Sequence, residues 1–131
     1  MRFETGNLDS ENTEHPERSG WCVGGRAPEA SLMRTGKCSV KWVTHPEGMK
    51  KRSGSDLESE TRTTVILLSG RWLTRFAEDG SEVILESPGD YLTYEGALAH
   101  ENEALSESRL SSSDGSVPTI DSTRMIRSWG I

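Results

Sequence analysis

Few side chains in this sequence have the types and spacing that catalysis or metal binding requires. Of its three histidines, His15 lies in a polar stretch and is expected to be exposed, so His45 and His100 remain as site candidates. The two cysteines, Cys22 and Cys38, lack CxxC spacing. We expect both thiols to be small buried side chains in strands, because a catalytic thiol would also need an adjacent base.

Local catalytic motifs are missing as well. The sequence contains no Gly-x-Ser-x-Gly elbow, no phosphate-binding glycine loop, no HExxH and no zinc-spaced Cys/His set. Residue types alone therefore assign no reaction. The position of a site has to be inferred from the elements that would carry it.

The central part of the chain predicts four strands joined by short turns. Turns this short fold strands back on one another as antiparallel sheet. The segment 64–68 is β-branched and apolar on both faces, which predicts a strand buried on both sides, and Gly70 suits a tight bend or bulge. The strands are expected at residues 63–70, 71–76, 82–86 and 91–100.

The preceding residues predict two further strands, at 21–23 and 38–43, with Trp42 in the barrel or at a dimer contact. Residues 45–55, including the basic cluster at 50–52, are rich in Pro, Gly and Ser and predict a solvated loop. Residues 1–19 have hardly any apolar side chain and predict a flexible arm.

Beyond His100 the periodicity weakens. Residues 101–110 fit a final strand or a short helix, and the serine-rich run 111–116 predicts a linker. The expected organisation is therefore a flexible N-terminal arm at 1–19, a single barrel at 20–107, and a linker with a poorly ordered tail at 108–131.

Composition limits the partners. The chain has 131 residues, within the range of one domain, and its net charge of -6 argues against nucleic-acid binding. No apolar run approaches a membrane span, and the N-terminus lacks the basic and apolar regions of a secretory signal. We therefore expect a cytoplasmic protein without membrane or nucleic-acid partners.

Several short segments carry a family resemblance. Residues 39–42, 45–48, 63–70, 89–92 and 99–100 together resemble a small single-domain cupin, and are similar to short bacterial cupin-like proteins of unsettled function. The resemblance implies an all-β fold, a small antiparallel β-barrel of jelly-roll type with its site inside. It covers roughly residues 21–105.

Cupin chemistry depends on metal ligands, and this sequence departs from the family pattern. With Gly70 as the closing glycine of the first motif, the ligand positions fall on Asp56, Glu58 and Thr63, where the family places two histidines and a glutamate. Gly89 to His100 keeps the interval of the second motif, so His100 matches as a ligand.

Two interpretations of these residues remain open. Asp56, Glu58 and His100, with His45, could bind a divalent metal such as Mn, Fe, Ni or Zn. Alternatively, the carboxylates form a solvated acidic loop, His100 is a hydrogen-bonded barrel histidine, and no metal is bound. The depleted motif favours the second interpretation.

The barrel mouth is a natural place for a small-molecule ligand. Tyr91, Tyr94 and Glu95 are expected near it, with Trp72 as a further ligand contact, although both tyrosines are also ordinary strand residues. The preferred hypothesis is a small-molecule-binding barrel without robust catalysis. The alternatives are a metal-dependent dioxygenase, isomerase or epimerase that uses His100 and carboxylates, and a homodimeric interaction module.

The C-terminal end suggests one more hypothesis. Similar cupins are expected to have a last strand with an Arg-Trp pair where this chain has residues 112–115, and codons for Ser-Ser-Asp-Gly can encode such a pair in another frame. A frameshift after about Leu110 would leave a barrel without its closing strand.

Overall fold

The computed structural model describes residues 3–53, 61–95 and 98–116, in which nine strands form two antiparallel sheets. The larger sheet has the order β1-β2-β9-β4-β7 and the smaller one β3-β8-β5-β6. The predicted all-β fold of jelly-roll type is confirmed. The strands are β1 Trp21–Val23, β2 Cys38–His45, β3 Lys50–Ser53, β4 Thr61–Ser69, β5 Trp72–Phe76, β6 Glu82–Leu85, β7 Tyr91–Glu95, β8 His100–Ala104 and β9 Ser108–Ser116.

The hydrophobic core lies between the two sheets, because each sheet turns alternate residues inward. On β4, Val65 and Leu67 are buried, whereas Ile66 between them is 38% exposed. The prediction that this strand is buried on both faces is therefore wrong: its outer face is open to solvent, as is common in antiparallel sheets. The buried cluster consists of Val65, Leu67, Trp72, Leu85, Ala104 and Leu110.

The short turns had suggested that the central strands pair in simple succession, but they do not. Only β5 and β6 form the expected hairpin, while β4 pairs with β7 and β9. The chain leaves one sheet for the other at Gly70, whose φ of +97° confirms the predicted bend. A Cβ at Gly70 would collide with the backbone of Glu107 and Ser108, so this corner requires glycine.

The serine-rich linker prediction is wrong, and with it the barrel boundary at residue 107. Residues 111–116 belong to β9, which lies between β2 and β4 and pairs with both. Backbone hydrogen bonds to the strands on both sides stabilise β9, so a strand forms here despite its low apolar content. The frameshift hypothesis predicted a missing closing strand, and the structure contains one; residues 117–131, the expected tail, lie outside the described residues.

The loop predicted at 45–55 contains an edge strand. In β3, Lys50–Ser53 pairs with β8. Lys50 and Arg52 alternate with Lys51 and face Glu103 and Glu101 at 3.6 and 2.9 Å. Charged side chains of this kind protect a sheet edge from pairing with other chains.

The N-terminal arm also contains regular structure. Helix α1, Leu8–Glu14, is capped by Asn7, and a 3-10 helix follows at Pro16–Arg18. Asp9 accepts hydrogen bonds from the Trp42 indole at 3.0 Å and from Arg109 at 2.6 Å. Trp42 therefore contacts α1 on the outer face of the sheet, rather than lying inside the barrel, because β2 turns Lys41 and Val43 inward.

The two thiols differ in exposure. Cys22 is half-buried and its Sγ contacts the Val40 carbonyl oxygen at 3.2 Å, whereas Cys38 is exposed at the start of β2. The prediction of a buried thiol is therefore wrong for Cys38. Within the described ranges, no helix is long and apolar enough to cross a membrane.

Candidate ligand-binding site

A cavity of about 310 Å³ lies between the two sheets, beside the apolar core. Val65, Leu110 and Trp72 form its apolar wall, and most of the remaining lining is polar. Strand alternation explains this division: β2 brings Lys41 and His45 to the same face as core residues. The inward faces of the two sheets therefore line both the apolar core and the polar cavity beside it.

The larger sheet contributes a row of hydrogen-bonded polar residues. Asp114 on β9 lies opposite Thr63 on β4, which lies opposite Tyr94 on β7. The Thr63 hydroxyl donates to Asp114 Oδ1 at 2.6 Å. The next inward row is Lys41 opposite Ser112.

The smaller sheet contributes Lys51 and Asn102, which lie opposite each other on β3 and β8. The Thr74 hydroxyl donates to Asn102 Oδ1 at 2.8 Å. Because the amide oxygen is occupied in this way, the amide N–H₂ of Asn102 remains as a donor in the cavity wall.

His100 uses both ring nitrogens within the barrel. It is 7% exposed, and its Nδ1 lies 2.8 Å from the carbonyl oxygen of Leu98, which can only accept. In the neutral ring, Nδ1 therefore carries the proton and Nε2 accepts from the Tyr94 hydroxyl at 3.1 Å. Burial raises the pKa of Tyr94 to about 12, and the charge of Asp114 adds to this shift, so Tyr94 keeps its hydroxyl proton.

His45 stacks on Trp72, with ring centroids 5.2 Å apart and planes inclined by 24°. Burial lowers the pKa of His45 to about 4, and the charges of Lys41 and Lys51 act in the same direction. Trp72 is 4% exposed, and its indole N–H has no hydrogen-bond acceptor among the described residues. A buried N–H without an acceptor is costly, so Trp72 brings an unsatisfied donor to the edge of the core beside the cavity.

Lys41 and Lys51 give the cavity a local positive charge. Burial lowers the pKa of Lys41, the nearby charges of Lys51 and Arg26 lower it further, and Asp114 opposes them. The ammonium group of Lys41 also lies 5.7 Å from the centroid of the Trp21 ring. Across the described residues, no carboxylate lies within 4 Å of either lysine.

The structure brings together only some of the residues predicted from the sequence. His45, Trp72, Tyr94 and His100 all line the cavity. Tyr91 and Glu95 do not line it: they are exposed, and they alternate with inward residues of β7. The other two predicted metal ligands, Asp56 and Glu58, lie outside the described residues.

Four charged or amide side chains of the lining were not recognised from the sequence. Lys41 could have been found, because it shares a face with His45 at alternate strand positions, and Asn102 because it follows His100 by two. Lys51 was missed because its segment was predicted to be a basic loop, and Asp114 was missed because its segment was predicted to be a linker.

The described residues do not fit a divalent metal. No group of three His, Cys, Asp or Glu side chains lies close enough to hold an ion in the ranges 3–53, 61–95 and 98–116. A metal at His100 Nε2 would displace the Tyr94 hydroxyl, and the two lysines would repel it. This part of the chain therefore gives no support to the metal-enzyme hypothesis.

Comparison with solved structures identifies the fold. A cupin domain of an XRE-family transcriptional regulator from Enterobacter cloacae superimposes with a TM-score of 0.53 at 18% identity, covering 60% of this chain and 81% of that one. Ectoine synthase from P. lautus gives 0.53 at 15% identity, covering 62% and 55%. KdgF from Halomonas sp. gives 0.52 at 16% identity, covering 68% and 76%.

The chain has a small cupin-like fold, as the resemblance predicted. At these identities the similarity establishes the fold alone. It does not assign the activities of those proteins to this chain. No family profile and no curated protein sequence matches the chain.

Proposed function

We propose that this protein binds a small molecule in the barrel cavity and catalyses no metal-dependent reaction there. The cavity, at about 310 Å³, lies at the lower end of the size range of small-molecule sites and combines an apolar wall with a few polar groups. Such a combination is typical of sites that bind and orient a small molecule.

The observation that carries the proposal is the indole N–H of Trp72. Most polar groups around it are satisfied within the protein, as the pairs Thr63–Asp114 and Thr74–Asn102 illustrate. Trp72 is the one buried side chain in the described residues whose polar atom lacks a partner. A ligand with an acceptor oxygen would supply the missing hydrogen bond and remove the cost of leaving it unmade.

A matched pair of β9 variants tests the proposal. Ser112 faces the cavity, whereas Ser111 is its neighbour on the outer face, opposite Trp42 and Ile66. We expect Ser112→Leu to fill the cavity and Ser111→Leu to leave it open. Both make the same chemical change in the same strand.

The assay is a thermal-shift screen of sugars, organic acids and amino acids. A compound at about 100 times its Kd contributes about 2.7 kcal/mol, which raises Tm by roughly 10 °C in a domain of this size. We expect stabilisation of the wild type and Ser111→Leu, and none of Ser112→Leu. A library without any stabilising compound, or equal stabilisation of both variants, would contradict the proposal.

A further inference from the structure

We propose that the ligand of this cavity is an anion, a carboxylate or phosphate group held between Lys41 and Lys51. This inference rests on the proposed function and adds the ligand's charge class. The two lysines approach the same cavity from different sheets, Lys41 from the centre of β2 and Lys51 from the edge strand β3. A group between them would contact an ammonium on either side.

Six of the twelve lysines and arginines in the described residues form no ion pair there, and Lys41 and Lys51 are the two of these six that line the cavity. The chain has 21 acidic and 15 basic side chains, so carboxylates are abundant. Some surface cations use them: Lys50 pairs with Glu103 and Arg52 with Glu101. Lys41 and Lys51 lie outside every ion pair found among the described residues, although an acidic protein could readily have supplied a partner.

The charged groups in the described lining of the cavity do not cancel. Asp114 is the only carboxylate there, and the Thr63 hydroxyl already donates to it. His45 is uncharged near neutral pH, because burial and the two lysines lower its pKa to about 4. Two ammonium groups thus face one carboxylate, which leaves one positive charge that an anionic group of the ligand would balance.

The neutral donors in the wall match the same ligand. The Trp72 indole N–H lacks an acceptor and the Asn102 amide N–H₂ is available as a second donor, and carboxylate or phosphate oxygens supply several acceptors. A cationic ligand would be repelled by both lysines. A neutral ligand would desolvate them without providing a counter-charge.

Lys51 and Lys50 allow a controlled experiment. They are neighbours on β3, both are exposed, and only Lys51 lines the cavity. Lys51→Met and Lys50→Met therefore remove the same charge from the same strand, and only Lys50→Met also removes an exposed ion pair, the one with Glu103. The probes are three compounds with one carbon skeleton, succinate, succinamide and 1,4-diaminobutane, together with glycerol 3-phosphate and glycerol.

Calorimetric titration at low ionic strength measures each Kd. We expect succinate or glycerol 3-phosphate to bind the wild type more tightly than its neutral counterpart. Loss of a hydrogen bond to a charged group weakens binding by about tenfold or more, so we expect that change in Lys51→Met and wild-type affinity in Lys50→Met.

Three results would overturn the inference. Equal binding of anions and their neutral counterparts, tighter binding of 1,4-diaminobutane, or the same affinity in Lys51→Met and Lys50→Met would each exclude an anion between the lysines. If an uncharged compound binds and Ser112→Leu abolishes its binding, the proposed function stands and only the charge class is wrong. If no probe or library compound binds, both proposals fail.

Discussion

The unusual environment of His45 predicts that the protein loses stability as the pH falls. The pKa of this imidazole is lowered to about 4 in the folded chain from an ordinary value of 6.5. Between these values the unfolded chain binds a proton at His45 that the folded chain does not. The free energy of unfolding therefore contains a His45 contribution that is complete above about pH 6.5 and is lost as the pH falls to about 4.

The magnitude follows from the size of the shift. A shift from 6.5 to about 4 corresponds to about 3 kcal/mol without correction. Because His45 is only half-buried, solvent screening reduces the expected effect to about 1–2 kcal/mol. The comparison needed is the change in unfolding free energy between pH 7.5 and 4.5, measured by urea denaturation for the wild type and for His45→Gln.

We expect the wild type to lose about 1–2 kcal/mol more than His45→Gln over this interval. His45→Gln also removes the stacking on Trp72, but that loss is the same at both pH values and cancels in the comparison. Lys51→Met should reduce the wild-type effect, since Lys51 contributes to the shift, whereas Lys50→Met should leave it unchanged. Parallel pH profiles for the wild type and His45→Gln would refute the reasoning.

Three further predictions concern the fold. Gly70→Ala should lower the free energy of unfolding, measured by urea denaturation, by about 3 kcal/mol or more, because its Cβ would collide with backbone atoms. Gly80→Ala, at a position with positive φ but open space, should lower it by about 1 kcal/mol. Similar losses in the two variants would argue against the clash. Leu67→Ala, fully buried, should cost about 2–5 kcal/mol and Ile66→Ala below about 1, and comparable values would contradict the assigned inward face. Asp9→Asn should speed limited proteolysis within residues 3–18 while the strands stay protected; an unchanged cleavage rate would show that Asp9 does not hold α1.

The positions of several strands could be predicted from the sequence, because alternation and turn residues are local signals. Strands β4, β5 and β6 lie close to their expected positions. Their pairing could not be predicted in this way, because short turns do not distinguish a hairpin from a crossing between sheets. Gly70 marked such a crossing only as a bend.

Strand β9 shows why composition misleads. A central strand needs backbone partners on both sides, and it needs apolar side chains only where its inner face meets the core. In β9 that position is Leu110, whereas Ser112 and Asp114 face the polar cavity and therefore remain polar. The residues that make the cavity distinctive are thus the same ones that made this strand resemble a linker.

The candidate site was recovered in part for a similar reason. His100 and Tyr94 follow from the family resemblance and from strand position. Lys41 and Lys51 belong to different sheets and are ten residues apart in the chain, so their convergence depends on how the sheets face each other. No local pattern encodes that arrangement.

The most direct test of ligand binding in the barrel is the nitrogen–proton correlation spectrum of the tryptophan indoles. The chain has four tryptophans, and Trp72→Phe identifies the signal of Trp72. When a stabilising compound is added, we predict that the Trp72 indole proton moves downfield, because its N–H gains an acceptor. An unchanged Trp72 signal at saturation with that compound would place the ligand elsewhere and contradict the account.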